Sequence, residues 1–200
     1  QRAEAAVKRY MQRMEILHQI DSGIIFANSI QEVVETTLKH IRQLIPCQHA
    51  NVGLIDVAKG EGIIFAVDYD GDTALGKGLR VPIPQDFFDG YDKRHVKVIP
   101  DLRVLQETNQ HFKQVVNEGL LCGVNVILIE RKQPIGTLGL FANTPNFFTS
   151  EHQEIIIEVG NRIAVAIHQL QLSEELAQYA TTLEQKVAER TVNLQAALVR

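Results

Sequence analysis

The spacing of apolar positions changes several times along this chain, and each change marks an element. Val7, Tyr10, Met14, Leu17 and Ile24 recur at three and four residues, with polar Asp21 where another would fall, which predicts an amphipathic helix over residues 1–28, a partner for the C-terminal helix or for its own copy in a second subunit. Ser29-Ile-Gln-Glu32 has the form of a capping box. Behind it Val33, Val34, Leu38, Ile41, Leu44 and Ile45 mark one helical face until Pro46 ends it. Residues 50–57 and 63–68 then alternate with period two around a glycine-containing turn, the pattern of a β-hairpin. Residues 79–84 read as a short edge strand, since Pro82 and Pro84 cannot donate to a ladder, and residues 97–102 as a short strand running into a turn. Residues 108–118 predict a short helix closed by Gly119. Residues 123–129 and 135–141, joined by a turn at 130–134, are the most apolar strands and belong at the centre of a sheet. This is an α+β order.

From Phe147 to Arg200 there is no proline and Gly160 is the single glycine. Thr149 or Ser150 can cap a helix here, and Ser150 with Gln153 has capping-box spacing. Ile155, Ile156, Val159, Ile163, Ala166, Ile167 and Leu170 form a wide stripe suited to packing on a sheet or a helix. From Leu176 the stripe narrows to a heptad seam of Leu176, Ala180, Leu183, Val187, Arg190, Leu194 and Ala197, with Arg190 its weak point. Thr191, Leu194 and Leu198 offer a second track, so the register can shift after Val187. At 1.5 Å per residue such a helix is about 75–80 Å long, more than one small domain covers. The pattern predicts a helix rooted in a domain that leaves it as a coiled coil. Apolar stripes at both ends predict a parallel homodimer with Val7, Met14, Leu17, Leu176, Ala180, Leu183, Val187 and Leu194 as its seam.

Charge narrows the list of partners. Twenty Lys and Arg against 24 Asp and Glu leave a net charge of −4 with no basic cluster, which argues against nucleic acid and anionic membrane surfaces. The longest apolar run, residues 120–129, is interrupted by Asn125 and too short to span a bilayer. No signal peptide opens the chain. Cys47 and Cys122 stand alone in apolar contexts and read as reduced thiols of a cytoplasmic protein. The chain begins in one helical pattern and stops in another, as a fragment of a longer polypeptide would. Candidate chemistry is sparse. The seven histidines lack metal-ligand spacing, and the glycines at 71–78 lack both the P-loop and the G-x-G-x-x-G spacing. No catalysis is expected within these residues.

In this order the elements resemble the GAF domain family. Residues 29–56, residues 98–102 ahead of the short helix, Pro134-Ile-Gly-Thr-Leu-Gly-Leu140, and Phe148-Thr-Ser-Glu151 carry the resemblance, which covers roughly residues 20–172. Leu183-Glu-Gln-Lys-Val-Ala-Glu-Arg-Thr-Val-Asn-Leu194 resembles the signalling helix that joins sensory domains to histidine kinase or cyclic-di-GMP cyclase modules. The resemblance implies a six-stranded antiparallel sheet with helices on one face and a ligand pocket on the other. It divides the chain into an N-terminal helix (1–28), a sensory domain (29–172) and a signalling helix (173–200). The pocket would be built from residues 70–119, with Phe87, Phe88, Tyr91, Asp101, His111 and Phe112 as its lining.

Three family chemistries are tested by single residues. Cyclic-nucleotide binders carry an Asn-Lys pair, a Phe and an Asp here matched by Asn143, Thr144, Phe147 and Glu151; Thr144 removes the lysine and its ion pair, so no cyclic nucleotide is expected. Phytochrome-like relatives attach bilin through a Cys-His pair, here Gln110-His111, so no covalent bilin is expected, and a non-covalent planar ligand touching His111 is left open. Methionine sulfoxide reduction needs grouped cysteines, and Cys47 and Cys122 are not grouped. Two functional classes stay open. One is the sensory module of a two-component histidine kinase, or of a diguanylate cyclase, answering a small-molecule ligand or partner of unknown identity and acting on a downstream catalytic domain. The other is a dimerisation module whose pocket is filled by its own side chains.

Overall fold

The computed structural model describes residues 2–27, 29–56, 59–71, 73, 75–83, 86–105 and 110–198, with backbone alone at 2, 3, 5, 6, 9, 110, 111, 189 and 192–198. Two compact units emerge, residues 1–166 and residues 167–200.

In the first unit, α1 (Arg2–Phe26) and α2 (Ile30–Leu44) precede β1 (His49–Asp56) and β2 (Glu61–Tyr69). Then come β3 (Arg80–Pro82), β4 (Val96–Ile99), a 3-10 turn (Leu102–Val104), α3 (Gln110–Asn117), β5 (Cys122–Glu130), β6 (Gln133–Ala142) and the start of α4 (Ser150–Leu198). The local signals act as expected at most boundaries. Ser29 Oγ accepts a hydrogen bond from the Glu32 amide at 3.2 Å, and α2 closes at Ile45 just before Pro46. At α4 the cap is Thr149, whose hydroxyl accepts from the His152 amide at 3.3 Å, one residue ahead of the Ser150 capping box that the spacing offered.

The strand order is β3-β2-β1-β6-β5-β4, antiparallel throughout, so the two most apolar strands lie inside the sheet and both short ones at its edges. Register puts Ala50 and Val52, Leu138 and Leu140, and Val124, Val126 and Leu128 on one face. Helix α4 packs closely there: a Cβ at Gly160 would come 2.7 Å from Val126 Cγ1. Helix α2 packs on β1 and β2 and buries Val33, Val34, Leu38 and Ile41. Helix α1 packs on both, with Arg13 Nη2 2.9 Å from Glu158 and Arg162 Nε 2.7 Å from Asp21. This corrects one seam position. Leu17 is 2% exposed and, like Ile16 and Ile20, is buried in the core of its own domain, whereas Val7 (58%) and Met14 (48%) face outward. Three-and-four spacing serves an intramolecular stripe as well as a dimer seam, and in α1 the last turns use it inward.

The other face of the sheet carries His49, Asn51 and Gly53 of β1, Thr137, Gly139 and Phe141 of β6, and Asn125 of β5. Gly139 is required by its neighbours, since a Cβ there would lie 2.7 Å from Asn125 Oδ1 and 3.1 Å from Asn51 Oδ1. Much of this face is covered by the chain itself: Leu75, Ile99, Leu102, Val115, Leu120 and Phe141 form a buried cluster with Leu79, Leu105, Phe112 and Val116 packed on it.

In the second unit, α4 continues to Leu198. Leu176, Tyr179, Leu183 and Val187 are 60–69% exposed, and Ala180 and Arg190 are exposed too. Thr181, Thr182 and Thr191 return their hydroxyls to carbonyls one turn back, at 2.8–3.0 Å. The side chain of Leu194 lies outside the described residues.

Candidate functional site

Strand β1 opens with a histidine in an apolar setting. His49 is 1% exposed, between the rings of Tyr69 (centroids 6.1 Å apart) and Phe141 (5.6 Å). Its Nε2 lies 3.0 Å from Asn51 Nδ2, an amide nitrogen that can only donate. Nε2 therefore accepts, and the proton sits on Nδ1, which donates to Thr73 Oγ1 at 3.3 Å. The same hydroxyl accepts from the Leu75 amide at 3.1 Å. Burial pushes the His49 pKa down to about 4, with the Arg42 charge acting in the same direction against Asp68. The imidazole is neutral at pH 7 and holds the loop after β2 against β1.

Beside it, Arg42 of α2 ties its helix to the segment before β1 and to the end of β2. Its Nε donates to the Cys47 carbonyl at 3.0 Å, Nη1 to Asp68 at 2.8 Å and Nη2 to Asp70 at 2.5 Å. Backbone bonds tighten the same corner: the Asp70 amide donates to the Gln48 carbonyl at 3.1 Å, and the Asn143 amide to Gln48 Oε1 at 2.9 Å.

Between these elements lies a recess of about 290 Å³. Gln48 and His49 form one wall, Tyr69, Asp70 and Thr73 a second, and Glu118, Gly119 and Leu120 after α3 a third, with Asn143 at the end of β6. Gly119 turns the chain at φ 83°, a left-handed conformation that glycine adopts without strain. Nothing here is an activated nucleophile. Burial pushes the Cys47 thiol up to about 11 and also raises that of Cys122, which donates to the Thr144 carbonyl at 2.9 Å. Among the described residues no group of three His, Cys, Asp or Glu can hold a metal ion. The arrangement suits binding, with polar groups from several elements converging on one recess.

The residues singled out from the sequence are dispersed. Phe87, Phe88 and Tyr91 pack on one another, ring centroids 5.2 and 6.3 Å apart, and Lys97 Nζ lies 5.6 Å over the Tyr91 ring while donating to the Asp89 carbonyl. Burial pushes the Tyr91 phenol up to about 12. Phe112 joins the apolar cluster. Asp101 caps the 3-10 turn and pairs with Arg103 at 2.6 Å, and those hydrogen bonds hold its carboxyl below the usual range. None of these five lines the recess. The side chains of Gln110 and His111 lie outside the described residues. From the predicted segment 70–119 the recess draws Asp70, Thr73, Glu118 and Gly119 instead. The positions missed were Gln48, His49, Tyr69, Leu120 and Asn143. The one available signal was His49 and Asn51 at alternate positions of an otherwise apolar strand, polar groups that a buried face must pair.

Comparison with known proteins agrees with this architecture. No curated protein matches the chain. Among solved structures, the chromophore-binding domain of the bacteriophytochrome RpBphP3 from R. palustris aligns at 16% identity and TM-score 0.68, over 84% of this chain and 63% of that one. The chromophore-binding domain of Stigmatella aurantiaca phytochrome P1 aligns at 16% identity and TM-score 0.63, over 78% and 60%. The photosensory core module of the Stigmatella aurantiaca phytochrome aligns at 15% identity and TM-score 0.70, over 88% and 40%. This chain thus spans less than two thirds of each, and at such identity the likeness is one of fold. Residues 27–168, which contain the whole sheet, match the family model of the GAF domain, and the chain belongs to that family.

Proposed function

We propose that this GAF domain is the sensory module of a two-component sensor histidine kinase. It works in the cytoplasm as a parallel homodimer, and passes a ligand- or partner-induced change along α4 to a catalytic domain of the same polypeptide. The observation that carries the reading is α4 itself: one helix buries Ile155, Ile156, Val159 and Ile163, then presents Leu176, Leu183 and Val187 to solvent at heptad spacing. Exposed leucines at that spacing are stabilised by a second copy of the same helix, with Val7 and Met14 of α1 adding to the seam. The same helix would equally serve a diguanylate cyclase. Among the described residues no helix is long and apolar enough to cross a membrane.

Sedimentation equilibrium tests the dimer. The 200-residue chain is expected to be dimeric at micromolar concentration, and Leu183→Glu to shift it toward monomer with the circular dichroism of the domain unchanged. A monomeric wild type overturns the reading. A second reading, a dimerisation module without a ligand, is favoured by the apolar cluster that fills much of the open sheet face. Native mass spectrometry separates the two: a co-purifying small molecule supports the sensor, and an empty dimer the second reading.

A further inference from the structure

We infer that the outer face of the sheet binds a flat, uncharged molecule through a primary carboxamide, in a slot over Gly139. This deepens the sensory reading and rests on it. The pairing register sets Asn51 of β1, Gly139 of β6 and Asn125 of β5 in one row across this face. Gly139 leaves its backbone bare between the two amides, whose Oδ1 atoms stand 3.1 and 2.7 Å from where its Cβ would be. Asn51 is 5% exposed and its Nδ2 is engaged with His49, yet among the described residues nothing donates to its Oδ1. The Asn125 amide has no hydrogen-bond partner among them either. Buried polar groups in folded chains are paired, so a buried acceptor beside a bare floor marks where a donor from outside the chain docks. A donor resting on Gly139 has an acceptor on each side, and the two hydrogens of one NH2 group serve both.

The chain between β3 and β4, which lie at opposite edges of the sheet, crosses this same face as a roof. At one end Ile83 Cδ1 stands 3.1 Å from where a Cβ of Gly62 would be; at the other Lys97, in register with Asn125, meets Gly90 and the Tyr91 ring, with Phe87 and Phe88 beside it. Bare strands below and aromatic rings above suit a flat body. Lys97 in the same row disfavours a cation and the two amide oxygens disfavour an anion, so the ligand is neutral. Asn125 and Thr137 are half-buried, which leaves the slot open on their side. Val126, the next residue of β5, points to the opposite face, where a Cβ at Gly160 of α4 would come 2.7 Å from it. A ligand held by Asn125 thus lies one residue from the contact that seats α4, and its binding biases that helix.

Isothermal titration calorimetry on the 200-residue chain tests this with benzamide and nicotinamide. The controls are N,N-dimethylbenzamide, which keeps ring and carbonyl without an N–H, and benzoate, which carries charge. The primary amides are expected to bind at millimolar concentration or below, and the controls not. Asn125→Val should weaken the amides about tenfold, since one N–H loses its acceptor. The same change should leave the urea midpoint unchanged or raise it, because this amide holds nothing in the protein and valine favours strands. Absence of binding by both primary amides, equal binding of either control, or unchanged affinity in Asn125→Val overturns the proposal, as does a lowered midpoint, which would give the Asn125 amide a structural role. Sedimentation of the same samples keeps the two readings apart: a dimer that binds no amide sinks the ligand class alone, and a monomer that binds amide sinks the dimeric sensor alone.

Discussion

Lowering the pH from 7 to 4.5 is expected to cost the domain about 2 kcal/mol through His49 alone. In the unfolded chain this imidazole titrates near 6.5; in the folded domain burial, aided by Arg42, brings it down to about 4. Above pH 6.5 the ring is neutral in both states and the full stability is present. Between 6.5 and 4 the unfolded chain binds a proton that the folded one refuses, so stability falls by up to about 1.4 kcal/mol per pH unit. Below pH 4 both states are protonated and the loss levels off. The measurement is urea unfolding followed by circular dichroism at half-unit steps from pH 7 to 4.5, at fixed protein concentration, for the wild type and His49→Gln. The variant should start less stable at pH 7, having lost the ring packing with Tyr69 and Phe141 and part of the hydrogen bonding to Asn51 and Thr73. Its pH dependence should nevertheless be shallower by about 2 kcal/mol over the range. His40 and His152, which burial also lowers, remain in both proteins and cancel in the difference. Parallel curves between pH 6.5 and 4.5 would refute the account of a buried neutral histidine.

Other perturbations probe the scaffold. Leu128→Ala and Leu138→Ala remove fully buried side chains from β5 and β6 and should each cost roughly 2–5 kcal/mol in urea unfolding; less than about 1 kcal/mol at both would refute the core assignment. Gly160→Ala sets two effects against each other. Helix propensity favours alanine by about 1 kcal/mol, but the new Cβ lies 2.7 Å from Val126 Cγ1, and overpacking of roughly 1–3 kcal/mol should win. A rise in melting temperature would contradict that. Arg131 and Lys132 turn the β5–β6 hairpin with φ of 46° and 68°, so Arg131→Asn combined with Lys132→Gly should stabilise by about 1 kcal/mol; an unchanged or lower midpoint would show that the basic pair is not strained.

Local chemistry alone determined much of this protein. Ser29 and Pro46 bound α2, alternation placed β1 and β2, Pro82 marked an edge strand, and the apolarity of β5 and β6 put them inside the sheet, because caps, ring constraints and periodicity act within a few residues. The same locality made the length of α4 legible, since nothing between Ser150 and Leu198 interrupts a helix. What a periodic pattern cannot specify is which surface a stripe will meet. Leu17 fits a dimer seam by spacing, yet Arg13–Glu158 and Asp21–Arg162 pairs, linking positions some 140 residues apart, hold α1 against its own α4 and bury it. Asp101 looked like a pocket acid until Arg103, two residues on, took both its oxygens. Only the tertiary structure gathered the recess, because its walls come from the starts and ends of elements spread from Gln48 to Asn143. The charge state of His49 belongs to that assembly as well: the residue is an ordinary histidine in the sequence, and the strands, rings and guanidinium packed around it make it a neutral one.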